Sequence, residues 1–248
     1  MQNKSIPLEK VIAECDLLFN SNRSSDVGEH LRLWRQKAHE VGDLSSELSL
    51  LSELMGHYRM QHDETRALAA VDDGLELLYQ LHVDNTVSGG TILINAATAL
   101  QSFGYFNEAI ELYNLAMQWY TALLPANDRR LAGLYNNTAA AYDGIGESFR
   151  AEDFYSKALK ILLAAGDLMD SAVTYVNLAQ LYDRRPGAEK AVAEALDRAW
   201  ECFDSPQAVR DGYYAHTCSK CASAFGMLGR DDIENELMRR AGEFYATH

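Results

Sequence analysis

The chain has 248 residues, of which 48% are hydrophobic and 23% charged, and a formal net charge of −14. No apolar run approaches the roughly 20 residues that cross a bilayer. A chain this acidic, with no basic patch, repels a phosphate backbone, so neither membrane nor nucleic acid is an expected partner.

Only 4 prolines interrupt a sequence rich in Ala, Leu and Glu, which predicts an all-α protein. The N-terminus, "MQNKSIPLEKVIAECDLLFN", is broken by Glu9, Glu14 and Asp16 and makes a poor export signal. With four cysteines in so long a chain, that points to free thiols in a reducing compartment, the cytoplasm. The first elements, "LEKVIAECDLLF" and "VGEHLRLWRQKAHEV", form a helix pair over residues 1–44.

From Ser45 onward the chain aligns with itself. Met55, Ala97, Ala139, Ala179 and Ala222 recur at spacings of 42, 42, 40 and 43 residues, a period of the kind that marks solenoids. Three residues after each marker stand Tyr58, Leu100, Tyr142, Tyr182 and Phe225; four before it stand Leu51, Leu93, Tyr135, Tyr175 and Cys218. Offsets of three and four lie on one helical stripe. A second helix follows each first one, with Ala67, the pair Ala109 and Ala116, and the pair Ala151 and Ala158 where the two approach. Gly104, Gly146 and Gly229 are placed to end first helices. Asp63, Asn107 and Asp231 are expected to cap second helices, and Ser205-Pro206 reads as an N-cap with a first-turn proline. The expected architecture is an α-solenoid of six antiparallel helix pairs, twelve helices of roughly 16 to 19 residues. It forms one domain over 1–248, in which 1–44 is a degenerate terminal pair and 45–248 five recognisable repeats.

The central unit carries Tyr135, Thr138-Ala139, Tyr142, Gly146, Ala151, Tyr155 and Ala158. This pattern resembles the tetratricopeptide repeat (TPR) family over nearly the whole chain. The usual period there is 34, so the chain is most similar to the longer variant found in kinesin light chains and bacterial peptide-pheromone sensors. The resemblance implies a right-handed superhelix. Pro186 in place of the fourth glycine, Glu234 in place of a fifth-unit alanine, and the first pair depart from the pattern.

Two residues before the marker stand Asn95, Asn137 and Asn177 in three consecutive units. The resemblance implies that this position faces a concave groove lined by first helices, where it contacts bound peptide. A primary amide both donates and accepts, so it can pair with a peptide bond whatever side chain is attached. Helices about 8–10 Å apart, facing a strand that advances about 3.3 Å per residue, would grip it at about every third residue. The alternative is that these amides bond only to each other or to neighbouring helix ends. The same offset carries Glu53 and Lys220, and Asn136, His216, Gln180, Arg184, Asp143 and Gln101 are further groove candidates. Only Lys220 and Arg184 could clamp a terminal carboxylate, so a basic clamp is disfavoured. The acidic end at Glu53 and the basic end at Lys220 would orient an extended ligand.

Other signals carry less. In "HTCSKC" (216–221), Cys218 and Cys221 fall on core-facing positions, which favours buried thiols over a metal or redox site. Glu53 and His57 are four apart but lack a third ligand, and Tyr113, Trp119 and Tyr155 recur at packing positions. No phosphate loop or nucleophile elbow is present. No catalytic residue, cofactor or metal is expected. The expected function is a non-enzymatic module, monomeric or weakly dimeric, that binds a protein or peptide segment; the alternative is a peptide-responsive regulatory sensor.

Overall fold

The structure, a computed structural model, describes residues 5–21 and 23–247. The described residues form twelve helices and no strand. Two compact units divide the chain, Met1–Leu124 and Pro125–His248. In the first unit the helices are α1 (Leu8–Asn20), α2 (Ser24–Val41), α3 (Leu44–Met60), α4 (Glu64–Gln80), α5 (Val87–Ser102) and α6 (Phe106–Leu123). The second contains α7 (Arg129–Gly144), α8 (Ser148–Ala165), α9 (Leu168–Asp183), α10 (Glu189–Asp204), α11 (Gly212–Met227) and α12 (Asp231–Thr247). Odd-numbered helices are the first members of pairs and even-numbered ones the second. Successive first helices also touch, α3 with α5 in one unit and α9 with both α7 and α11 in the other. The expected all-α solenoid of helix pairs is therefore the fold. One helix is shorter than expected: α1 has 13 residues, and the Ser21 hydroxyl closes its end by donating to the Leu17 carbonyl at 2.7 Å.

All five marker residues are buried, none more than 1% exposed. Ala67, Ala109, Ala116, Ala151 and Ala158 on the second helices are fully buried too. Where the pattern departs from small residues, the partner helix compensates. Met55 is a large marker, and Gly74 on α4 faces it; a Cβ there would collide with Met55 Cε. Glu234 takes an alanine position on α12, and Gly226 on α11 leaves room for its carboxylate. Alanine at Gly74 or Gly226 would make the end of the facing side chain shift.

Turn chemistry follows expectation in part. Gly104, Gly146 and Gly229 adopt left-handed φ of 88°, 79° and 80° after α5, α7 and α11. After α9 the left-handed residue is Gly187 at 77°, one position beyond Pro186. Arg185 accepts from Ala188 N at 3.3 Å across these two, the residue order favoured in a type II turn. Pro186 thus displaces the glycine by one residue rather than replacing it. Asp63 caps α4 as expected, accepting from Arg66 N at 3.1 Å. Asn107 and Asp231 do not cap: α6 begins at Phe106 after Tyr105, and Asp231 is the first residue of α12. Ser205 closes α10, and its hydroxyl oxygen accepts from Gln207 N at 3.3 Å, because α11 starts later, capped by Asp211. Side-chain caps fall mainly on first helices, from Asp43, Thr86, Asp128, Asp167 and Asp211.

Polar fasteners hold the ends of the chain. The side chain of Glu47, only 6% exposed, lies 3.1 Å from His39 Nδ1 and 3.5 Å from Arg35 Nε, and Arg35 also reaches Asp73 at 2.7 Å. This joins α2 to α3 and α4. At the other end Arg240, 10% exposed, donates to Glu236, Tyr214 Oη, the Phe203 carbonyl and Asp204, and lies 4.8 Å from the Trp200 ring centre. It joins α12 to α10 and α11. Hydrogen bonds from Arg239 and then Arg240 hold the Glu236 carboxyl at about 2, down from the ordinary 4.5.

Two outcomes are expected. Tyr142 is buried and stacks on Phe154 with ring centres 5.5 Å apart. Tyr142→Ala should therefore cost about 3–5 kcal/mol in urea unfolding, while Tyr142→Phe changes little, because the hydroxyl has no hydrogen bond among the described residues. Glu236, with its depressed folded pKa, stabilises the fold fully above about pH 4.5 and loses that contribution as pH falls toward about 2. Melting temperatures of the wild type and Glu236→Gln should thus differ at neutral pH and converge in acid; a constant gap across that range refutes the assignment.

Candidate functional site

Residues at the offset two before the marker behave differently from unit to unit. Asn95 on α5 donates from Nδ2 to Ser52 Oγ on α3 at 2.7 Å. Asn137 on α7 and Asn177 on α9 are half-buried, and neither has a hydrogen-bond partner among the described residues. In the second unit Asn136 bonds across helices instead, donating to Thr174 Oγ1 on α9 at 2.9 Å.

In the second unit the first helices are stitched near both ends. At the start of α7, Arg129 pairs with Asp167 and lies 3.8 Å from Asp170, both at the head of α9. Asp170 also accepts from the Tyr213 hydroxyl of α11. At the opposite end Arg184, the C-cap of α9, pairs with Asp143 of α7. These bonds fix the spacing of the three helices while leaving the mid-helix amides of Asn137 and Asn177 unspent. Lys220 and His216 stand exposed on α11 with no ion pair among the described residues, and Gln180 is half-buried on α9.

Of the groove candidates, Arg184 and Asp143 are therefore brought together as a pair. Gln101 is likewise engaged, accepting from Tyr113 Oη at 2.9 Å. Glu53 belongs to the first unit, exposed on α3, where crowding by surrounding protein and, second, the Asp16 carboxylate push its pKa above the ordinary 4.5. Its helical neighbour His57 lies against Gly28 of α2. Among the described residues no three or more His, Cys, Asp or Glu side chains are placed to hold a metal ion. Cys218 and Cys221 lie in the core, 0% and 2% exposed. Burial pushes their thiols up to about 11 and about 12, far from the thiolate a reactive cysteine needs.

Sequence reasoning missed the partners that engage these groups: Ser52, Thr174, Asp170 and Tyr213. Their bonds span separations of 38 to 43 residues. The signal was present as hydroxyls and carboxylates one repeat away, though no helical spacing within a unit reports it.

No protein-family model matches the sequence, and no curated protein matches it. Among the described residues no helix is long and apolar enough to cross a membrane. Solved structures do match. RapI in its apo form superposes with a TM-score of 0.65 at 12% identity, over 96% of this chain and 83% of that one. A putative kinesin light chain of Podosopora anserina with nearly identical TPR-like repeats gives 0.58 at 16%, over 81% and 95%. The apo form of the quorum sensor NprR from B. thuringiensis gives 0.57 at 15%, over 97% and 65%. At these identities the likeness is one of architecture, and the chain is an all-α protein of TPR-like repeats.

Proposed function

We propose that this repeat scaffold is a binding module that holds an extended protein or peptide segment against its first helices, with Asn137 and Asn177 as backbone grips. The observation that carries this reading is the pair of half-buried amides at equivalent positions on touching helices, without partners in a face otherwise fastened by hydrogen bonds. A half-buried amide loses water on one side and gains from a ligand that returns both a donor and an acceptor. Lys220, at the same offset on α11, supplies a cation for an acidic side chain of the bound segment. Glu53 offers the opposite sign in the first unit. Asn95 and Asn136 act mainly within the scaffold, through Ser52 and Thr174, with Asn95 Oδ1 left to accept from a ligand. A peptide-responsive sensor is the second reading, favoured by the likeness to the quorum sensor NprR.

The test pairs an affinity with a melting temperature for each variant, using a peptide selected from a library on the immobilised full chain. Asn137→Ala and Asn177→Ala should each weaken binding by about 1–3 kcal/mol and leave the melting temperature unchanged or slightly higher, since alanine is the better helix former. Asn136→Ala and Asn95→Ala should instead cost about 0.5–1.5 kcal/mol of stability. Loss of stability with intact affinity at Asn137 and Asn177 would end the reading.

A further inference from the structure

The first unit holds a cavity of about 330 Å³ among α2, the end of α3 and the start of α4. Its chemistry is unlike that of the acidic chain around it. Arg32 of α2 lines it and makes no ion pair among the described residues; its Nε donates only to the Gly28 carbonyl at 3.2 Å. Arg66 of α4 faces it across the Tyr58 ring, 6.0 Å from the ring centre. The Arg66 partner, Asp63, is already engaged, accepting from Arg66 Nη1 at 3.1 Å and capping α4 through Arg66 N at 3.1 Å. His57 forms part of the wall, only 6% exposed, and its Nδ1 is buried with no hydrogen-bond partner.

The position of that ring has been accommodated. Gly28 sits inside α2, where glycine weakens a helix, and a Cβ there would collide with His57 Nε2. The charged and titratable groups that line the cavity with His57 are Arg32 and Glu29 from α2, Tyr58 beside it on α3, and Asp63 and Arg66 from α4, with the Arg32 charge acting on the ring. Asp63 is paired with Arg66, and Glu29 and Arg32 are the charged groups of this set without an ion pair among the described residues. An arginine without an acid is a group that an anion would satisfy, and the ring edge that His57 turns toward Gly28 in this wall carries Nε2, a second donor when the ring is protonated.

We propose that this cavity binds a small oxyanion of the phosphate class, held by Arg32 and Arg66 and received by His57. The anion is either free or the phosphoryl group of a modified side chain. Burial and then the Arg32 charge hold the His57 pKa below its ordinary 6.5. A bound anion reverses the sign of the local field, so binding takes up a proton and tightens as pH falls through the histidine range.

The experiment uses the full chain, with inorganic phosphate and sulfate titrated by calorimetry and the His57 ring followed by NMR, assigned with His57→Gln. Saturable binding is expected with both anions. Arg32→Gln, at an exposed position that leaves the melting temperature unchanged, should weaken it about tenfold or more. Sulfate, whose charge is constant in this range, should raise the His57 pKa and bind more tightly as pH is lowered from about 8 to about 5.5. A phosphoserine peptide that binds more tightly than phosphate, where its unmodified form does not bind, assigns a modified segment as ligand; equal or weaker binding assigns the free anion. The proposal is overturned by absence of saturable binding to either anion, by Arg32→Gln binding as tightly as the wild type, or by sulfate shifting His57 no more than chloride at equal ionic strength.

Discussion

Two helices can lie close along their length only where one of them presents almost no side chain, and each unit is built around satisfying that condition repeatedly. Alanine stands at Ala97, Ala109 and Ala116 on the packed pair α5 and α6, and at Ala139, Ala151 and Ala158 on α7 and α8, all fully buried. The large residues three or four positions away, such as Tyr142 and Leu93, then fill the space that the close contact opens on either side. The two exceptions define the rule. Met55 is paired with Gly74, and Glu234 with Gly226, so a glycine on the partner helix makes room for the larger side chain.

That constraint explains why the architecture was legible from one sequence. Small and large residues at fixed offsets are a local pattern, and so are the glycines at Gly104, Gly146 and Gly229, whose left-handed φ only the turn demands. What escaped was non-local or ambiguous in direction. The exact helix starts are not local in this way: α6 begins at Phe106 and α12 at Asp231, which puts Asn107 and Asp231 inside their helices, and α11 begins well after Ser205, at a cap from Asp211. The fourth turn was misjudged by one residue, because Pro186-Gly187 delivers the positive φ one place later.

The asparagines illustrate the limit more sharply. Asn95 and Asn137 hold the same place in their repeats, yet one is bonded and the other is not. What separates them is a hydroxyl on the preceding first helix: Ser52 lies within reach of Asn95, whereas the amide that finds a hydroxyl on α7 is the neighbouring Asn136, through Thr174. Repeat position therefore says where a side chain stands, while its engagement depends on a residue about one period away. The cavity beside His57 is only partly a matter of repeat position, since Arg32 and Gly28 come from the degenerate first pair.

Within each unit, every substantial helix contact joins helices adjacent in the chain or separated by one other, and the fasteners at Arg35 and Arg240 respect the same limit. Native contacts of such short reach require little loop closure and form quickly. For a chain emerging from the ribosome, each new helix meets its packing partners already made, and the apolar face it covers is exposed only for the time needed to synthesise about one repeat. Assembly can keep pace with translation, layer upon layer, without any strand or helix waiting for a distant complement.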